Sequence, residues 1–416
     1  MGAYPLVLDL TGRRAVVVGG GAVALRRARG LLEAGALVHV IAPSVLPELA
    51  TLMEVDVVVH RRAYADGDLV GAWVAHACTD DPEVNTAVAA EAERRQVPCV
   101  RADAVSGGTA RTPAVARSGD VLVAVATDPA GGADPAAGAD PGRARALRDA
   151  LAVLLDSGEL PLRRRRPAAD GSGRVALVGG GPGDAGLITV RGRRLLAEAD
   201  VVVVDRLAPR ELLGRLDPTV EVVDVGKEPH GAGPAQEEIS ALLVDRARRG
   251  LRVVRLKGGD PFVLGRGGEE MLACARAGVP VEVVPGVTSA VAGPAAAGIP
   301  VTHRGVAADF AVVSGHLDPA RPGSTIDWQA LADGPATLVL LMALDRLEAV
   351  AAELVKRGRP GNTPVAVVRR ATLPDQEVLV ATLDTVAADT ARARLRPPAV
   401  VVVGEVVRLR EALASG

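Results

Sequence analysis

The sequence is short of three things: cysteine, aromatic residues and lysine. Cys78, Cys99 and Cys274 are its three cysteines. They are scattered, with no CxxC pair, which argues against a disulfide framework or a thiolate zinc site. Two Trp, two Tyr and two Phe are all the aromatics, so Ala, Val and Leu must fill the cores. Lys227, Lys257 and Lys356 are the only lysines beside many arginines. That bias is compositional, and it makes a lysine inside a motif worth individual attention. No apolar run approaches the length of a membrane span, and the N-terminus lacks a signal-peptide pattern. Leu6 stands where a myristoylation signal needs Ser or Thr. A net charge of −2 gives no general pull towards nucleic acid or a membrane. The expectation is a soluble, cytoplasmic protein with neither as a partner.

A chain of 416 residues has room for two or three domains. RAVVVGG (14–20) and ALVHVIA (36–42) read as buried strands around a helix, VALRRARGLLEAG (23–35), that glycine closes. DVVVH, WVAHACT and VPCV continue the βαβ rhythm of a doubly wound sheet, with PEVNTAVAAEAERRQ as a further helix. DVLVAVAT (120–127) reads as a shorter β segment at the far end of that sheet. A low-complexity loop (128–142) and one helix, RARALRDALAVLLDSG, lead to RRRRPAADGSG (163–173). Its four arginines have no interleaved aromatics, so it reads as a solvated linker and not as a nucleic-acid contact. A second α/β series starts at RVALVGG (174–180). From FAVVSGH onward, the strands TLVLLMA, PVAVVRR, EVLVATL and PAVVVVG form a second lobe with two helices. The expected architecture is α/β throughout. It has a Rossmann-like domain over 1–160, a linker over 161–173, and a two-lobed domain over 174–410, with lobes of about 174–305 and 306–410. A cleft between lobes is a natural ligand site.

Two glycine-rich turns look alike and differ chemically. Gly19-Gly20-Gly21-Ala22-Val23-Ala24 is a GxGxxA between strand and helix, the context of a dinucleotide fingerprint. Gly19 makes the tight turn, Gly21 admits the pyrophosphate to the helix N-terminus, and Ala24 permits close packing. The acid expected after the second strand is absent. IAPS stands there, leaving Pro43, Ser44 or backbone for the ribose, with NAD and NADP both open. In Gly179-Gly180-Gly181-Pro182-Gly183-Asp184, proline removes an N–H and aspartate adds a negative charge. That loop suits a cationic or neutral ligand better than a phosphate. RLKGGDPFVLGRGGEE (255–270) follows a buried strand. Its glycines let backbone approach a ligand, and Pro261 limits Asp260 to extended geometry.

VALVGGGPGDAGLITVRG, VVVVDRL, VGKEPHG, RLKGGDPFVLGRGGEE, VPGVTSAVAGPAAAGIPVTHR and SGH, in that order and spacing, resemble the uroporphyrinogen III C-methyltransferases over 174–410. The N-terminal part resembles the precorrin-2 dehydrogenase/ferrochelatase module, and the whole order resembles the bifunctional siroheme synthases. The resemblance implies two methyl transfers from S-adenosylmethionine to the tetrapyrrole uroporphyrinogen III, giving precorrin-2. NAD-dependent oxidation to sirohydrochlorin and insertion of ferrous iron, as substrate, would follow. It also implies a homodimer. Gly258, Gly259, Asp260, Val263, Pro182, Thr288, Ser289, Met342 and Ala371 would line the S-adenosylmethionine pocket. Ala343 and Ala371 replace glycines common in the family, and each added methyl is expected to narrow that pocket slightly.

Methylating a pyrrole carbon is largely positioning work, after which the macrocycle must lose a proton. By resemblance Asp205 is the proton acceptor and Lys227 the proton donor. Asp103 of RADAV matches the aspartate used in oxidation and chelation. The eight carboxylates of the substrate call for bidentate arginines, with Arg206, Arg266 and Arg304 as candidates. His303 and His316 flank the cleft without an assigned role. No resident metal site is expected. The family's longer helical region after the dinucleotide fold is represented here by one helix, and its serine-glycine stretch by Thr127-Asp128. A rival reading follows, in which a monofunctional methyltransferase carries a non-catalytic dinucleotide-binding or dimerisation domain.

Overall fold

The strand after the N-terminal arm, β1 (Arg14–Val18), shows why these apolar runs form strands buried on both faces. Ala15 and Val17 point into one cluster with Ala24, Ala28 and Leu31. Val16 and Val18 point into another with Val88 and Ala92. Side chains alternate along a strand, so helices on both faces demand an unbroken apolar run. The computed structural model describes residues 4–51, 57–104, 107–119, 121–127, 140–160, 162–163, 173–226, 234–321 and 324–414. They divide into two compact units, residues 1–153 and 154–416.

The first unit adds α1 (Ala22–Glu33), β2 (Leu37–Ile41), α2 (Pro47–Thr51), β3 (Val57–His60), β4 (Val74–Ala77), α3 (Pro82–Arg94) and β5 (Cys99–Arg101). The sheet order β3-β2-β1-β4-β5 is parallel at every pairing. This is a doubly wound sheet whose order reverses at β1, and such sheets bind ligands beyond that point. The segment placed at the far end of the sheet is elsewhere. β6 (Ala114–Ser118) and β7 (Val121–Val125) form a separate antiparallel ribbon. Neither strand has a fully buried residue, as suits a two-stranded ribbon and not an edge strand of the sheet. α4 (Pro141–Asp156) follows.

The second unit opens with chain that the sequence reading assigned to the first domain and linker. Glu159 pairs with Arg193 at 3.4 Å, and the Leu162 N–H donates to Ala197 O at 3.1 Å. Arg163 pairs with Asp200 at 3.1 Å and also donates to Thr219. Leu162 and Arg163 are therefore anchored parts of this unit; residues 164–172 lie outside the described residues.

Its first sheet is parallel, in the order β10 (Glu221–Asp224), β9 (Val201–Val204), β11 (Arg252–Lys257), β8 (Arg174–Gly179) and β12 (Val281–Val284). α5 (Val190–Glu198), α6 (Gln236–Arg248) and α7 (Gly267–Arg276) cover it. α8 (Ser289–Ala296) then crosses to the second sheet. That sheet is mixed, in the order β13 (Phe310–Ser314), β14 (Thr337–Leu341), β17 (Ala399–Val403), β15 (Pro364–Arg369) and β16 (Glu377–Thr382). α9 (Trp328–Asp333), α10 (Leu347–Lys356), α11 (Val386–Arg392) and α12 (Leu409–Ala414) complete the lobe, four helices where two were expected. Because Ala290 packs on Val339, Leu341 and Val400, the lobes divide before α8, ahead of residue 305.

Candidate active sites

In the first unit the chain leaves β1 through Gly19, whose φ is +130°. A Cβ there would lie 2.5 Å from Cys78 O, and one on Gly20 would lie 1.9 Å from Ser44 O. Both positions therefore require glycine, although sequence reasoning gave a role only to the first. Gly21 is different: a Cβ on it would meet nothing within 4 Å. Gly21 is the N-cap of α1 without a side-chain cap bond, and the first turn carries no acid. The first N–H groups of a twelve-residue helix therefore start from an open position, as an approaching pyrophosphate needs. The Leu46 N–H donates to Gly20 O at 3.0 Å, folding Pro43 and Ser44, both exposed, beside Gly19, Gly21, Ala22 and Val23. Ala24 is buried under the helix.

The ends of β4 and β5 meet at the same sheet edge. Buried Asn85 fastens Thr79 three ways, accepting from its N–H at 3.1 Å and its hydroxyl at 2.8 Å and donating to its carbonyl at 2.9 Å. Asp103 stands two residues beyond β5. Arg101 grips it with both arms, Nε to Oδ1 at 3.1 Å and Nη2 to Oδ2 at 2.7 Å. That guanidinium, helped by Asn85, lowers the carboxyl pKa to about 2. The RADAV motif contained this partner, and sequence reasoning passed over it.

In the second unit the loop after β11 lies against the loop after β8. Gly259 donates its N–H to Gly181 O at 2.7 Å and accepts from Gly181 N at 3.2 Å. Two glycines permit the close packing here: a Cβ on Gly258 would lie 2.8 Å from Leu207, and one on Gly286 would lie 2.1 Å from Gly259 O. Asp260 braces the arrangement. Its Oδ1 accepts from Phe262 N at 2.8 Å and its Oδ2 from Gly286 N at 3.0 Å, so the carboxylate holds two loops together. Thr288 caps α8. Thr288 and Ser289 lie within 4 Å of where a Gly259 Cβ would be. Asp184 turns onto its own chain, accepting from Gly186 N at 2.7 Å.

The second lobe closes on this wall. The Asp184 N–H donates to Thr372 Oγ1 at 3.1 Å, next to Pro182, while Val263 packs on the cluster of Val339 and Leu341. Met342 follows β14 with φ +57° and is half exposed; a non-glycine residue held in that region is strained, a feature of ligand sites. The two alanines behave differently from expectation. Ala343 is fully buried in the core with Leu338 and Val350, opposite Gly315, where a Cβ would lie 2.5 Å from it. Ala371 packs among Ile299, Val368 and Val402. Their methyls lie in the lobe's core.

Asp205 directly follows β9, and Arg255 Nη2 meets its Oδ1 at 2.6 Å. Behind it stands a buried charge chain absent from the sequence-derived site. Arg255 Nε contacts Glu270 at 3.0 Å, and Lys257 Nζ lies 3.2 Å from Glu270 and 3.7 Å from Asp205. Gln236 adds a bond to Glu270 at 3.1 Å. Burial, then Arg255, pulls the Lys257 pKa below its ordinary value. Arg255 and Lys257, two basic residues at a spacing of two in the buried part of β11, were the legible signal. Gly226 packs against Arg206; Lys227, the next residue, lies outside the described residues. Arg266 is engaged by Glu269 at 2.7 and 2.9 Å. Arg206 and Arg304 make no ion pair among the described residues. His303 shapes a turn with Ala307, and His316 Nδ1 meets Ser314 Oγ at 2.6 Å. No described helix is long and apolar enough to cross a membrane, and no described cluster of His, Cys, Asp and Glu would hold a metal.

Residues 174–387 match the Tetrapyrrole (Corrin/Porphyrin) Methylases family model, and residues 6–114 match an NAD(P)-binding family model. A tetrapyrrole methylase joined to an NAD(P)-binding fold is the class of protein they define. A siroheme synthase of Pseudomonas entomophila (strain L48) is 38% identical, covering 100% of this chain and 98% of the relative. One from Chromobacterium violaceum is 38% identical over 99% and 96%. Among solved structures, a cobalt precorrin-4 methyltransferase, a cobalamin biosynthetic enzyme, is 30% identical, with a TM-score of 0.52 over 58% of this chain and 99% of that one. The chain belongs to the siroheme synthase family. The alignment with the Pseudomonas relative runs to 460 positions, longer than the chain, so that relative has segments without a counterpart here.

Proposed function

We propose that the second unit methylates uroporphyrinogen III twice, giving precorrin-2, and that the first unit oxidises precorrin-2 to sirohydrochlorin with NAD and inserts ferrous iron. The observation that carries this reading is the end-to-end relationship to siroheme synthases at 38% identity.

S-adenosylmethionine brings an electrophilic methyl group on a sulfonium and leaves as a neutral thioether. The protein's part is to hold, align and take a proton. Gly258 and Gly259 offer a backbone wall without side chains, and Pro182, Val263, Thr288, Ser289, Met342 and the Ala371 backbone surround it. Asp205 accepts the proton that the macrocycle loses once the methyl group has been added. Arg255 and Lys257 hold that carboxylate in one orientation, since neither buried cation can turn away from it cheaply. Lys227 is assigned the return of a proton. In the first unit Gly19, Gly21, Ala22 and Val23 receive the pyrophosphate and Pro43 and Ser44 the ribose. NAD supplies hydride-accepting chemistry. Asp103 accepts the protons that the macrocycle nitrogens lose. The protein acts in the cytoplasm, as a homodimer, without nucleic acid.

A second reading, dinucleotide binding without chemistry, draws on Asp103 being engaged by Arg101. One experiment separates the two. The full chain is given uroporphyrinogen III and S-adenosylmethionine, then NAD, then ferrous iron, and the products are resolved by absorbance. Successive precorrin-2, sirohydrochlorin and siroheme support the first reading. Arrest at precorrin-2 with NAD bound supports the second.

A further inference from the structure

The grip of Arg101 on Asp103 is the strongest feature that the reaction as described leaves unused. Arg101 is the last residue of β5, and its side chain is 11% exposed against 26% for Asp103. Its third donor, Nη1, bonds Thr86 Oγ1 on α3 at 3.1 Å. On the other side a Cβ on Gly107 would lie 2.8 Å from Nη1, so glycine there leaves room for the guanidinium. The arginine is therefore fixed by its surroundings, and Asp103, the more exposed partner, is the one free to move.

Both Asp103 oxygens accept from that guanidinium. Two of the carboxylate's lone pairs are occupied in this way and the adjacent positive charge favours its ionised form, so it is a weak base for a pyrrole proton until Arg101 lets go. Releasing it into water would leave Arg101 unpaired and nearly buried, which is costly. Exchanging it for another carboxylate keeps the pair intact, because the guanidinium fork accepts any carboxylate in the same bidentate geometry. A tetrapyrrole bearing acetate and propionate arms brings such a group.

We propose that Arg101 exchanges partners: it binds a carboxylate arm of the incoming tetrapyrrole and so frees Asp103 to act as the base. This rests on the oxidation assigned above to the first unit. Docking and base release are then one event. Asp103 stays neutralised in the absence of substrate and becomes active only when a carboxylated macrocycle sits beside it.

The test is steady-state oxidation of precorrin-2 by the full chain at saturating NAD, for the wild type, Arg101→Gln and Arg101→Lys. Arg101→Gln removes the anchor and leaves Asp103 unengaged. The expected result is a KM for precorrin-2 raised about tenfold or more, with kcat equal to or above that of the wild type. Arg101→Lys keeps the charge without the fork and should recover part of the KM. A purely structural arginine would instead lower kcat and leave KM in place in both variants, and that outcome overturns the proposal. A fall in kcat alone with the melting temperature unchanged overturns it too. Absence of oxidation in the wild type removes the dehydrogenase reading itself, and the exchange falls with it. An active wild type with an unaltered KM in Arg101→Gln removes the exchange alone.

Discussion

Arg255 and Asp205 stand fifty residues apart in the chain and 2.6 Å apart in the fold. One lies on a central strand and is 2% exposed; the other directly follows the neighbouring strand and is 32% exposed. Their pairing makes Asp205 the outer end of a chain of charges rooted at Glu270. The inner members are two cations and one anion, so the outer aspartate completes a formally neutral set.

Glu270 should therefore be a keystone of stability. Glu270→Gln leaves Arg255 and Lys257 with one half-exposed counter-charge between them. Breaking a buried pair of this kind costs about 3–5 kcal/mol, and denaturant unfolding of the full chain should show a loss of that size in the second unit's transition. A loss under about 1 kcal/mol would mean that water reaches the cluster.

Gly20 and Gly21, neighbours in the glycine turn, should separate by mechanism. Gly20→Ala drives a methyl into Ser44 O and should lower the melting temperature without any ligand. Gly21→Ala has open space around its methyl, so it should fold normally yet lose most of the thermal stabilisation that NAD gives. Thermal melts of both variants with and without NAD check this. Equal NAD-induced shifts in wild type and Gly21→Ala would place the dinucleotide elsewhere.

Asp260 should matter as a brace. Asp260→Ala releases Gly286 and Phe262 together, and S-adenosylmethionine affinity should fall by about tenfold or more. Asp260→Asn keeps one acceptor and should lie between, because only one of the two loop bonds survives. Calorimetric titration of both variants reads the order. An unchanged affinity in Asp260→Ala would show that the loops hold themselves.

Acid should weaken the first unit through His76. Burial, then Arg27, lowers its pKa from 6.5 to about 4. The unfolded chain therefore binds a proton between those values that the folded one does not. Stability from the neutral imidazole is present above about 6.5 and is lost as pH falls towards 4, by up to about 3 kcal/mol. Unfolding curves at pH 7 and pH 5 should differ less for His76→Phe than for the wild type. An equal difference would assign the slope to other groups, such as His39, whose pKa burial also lowers.

Much of the architecture was readable because glycine and valine signal it locally. Gly19 after a run of valines marks a strand meeting a helix, and Gly258-Gly259 after β11 marks a backbone wall. What stayed hidden depends on partners distant in sequence. The direction of the Ala343 methyl is fixed by Gly315, and the Glu270 cluster by α7 closing over β11. DVLVAVAT reads as a strand from its own residues, yet its neighbour, Ala114–Ser118, is a weak strand with an arginine and a serine. Arg163 looked like part of a solvated run because Asp200 and Thr219 lie far along the chain.

Asp205 is the residue on which the methylation account turns, and Asp205→Asn tests it with two readouts on one protein. S-adenosylmethionine affinity is measured by calorimetry, and uroporphyrinogen III methylation by single-turnover kinetics. The account predicts a Kd within about threefold of the wild type and a methylation rate lower by about a hundredfold, the scale of losing a positioned base. An unchanged rate, or loss of S-adenosylmethionine binding in a folded variant, would contradict it.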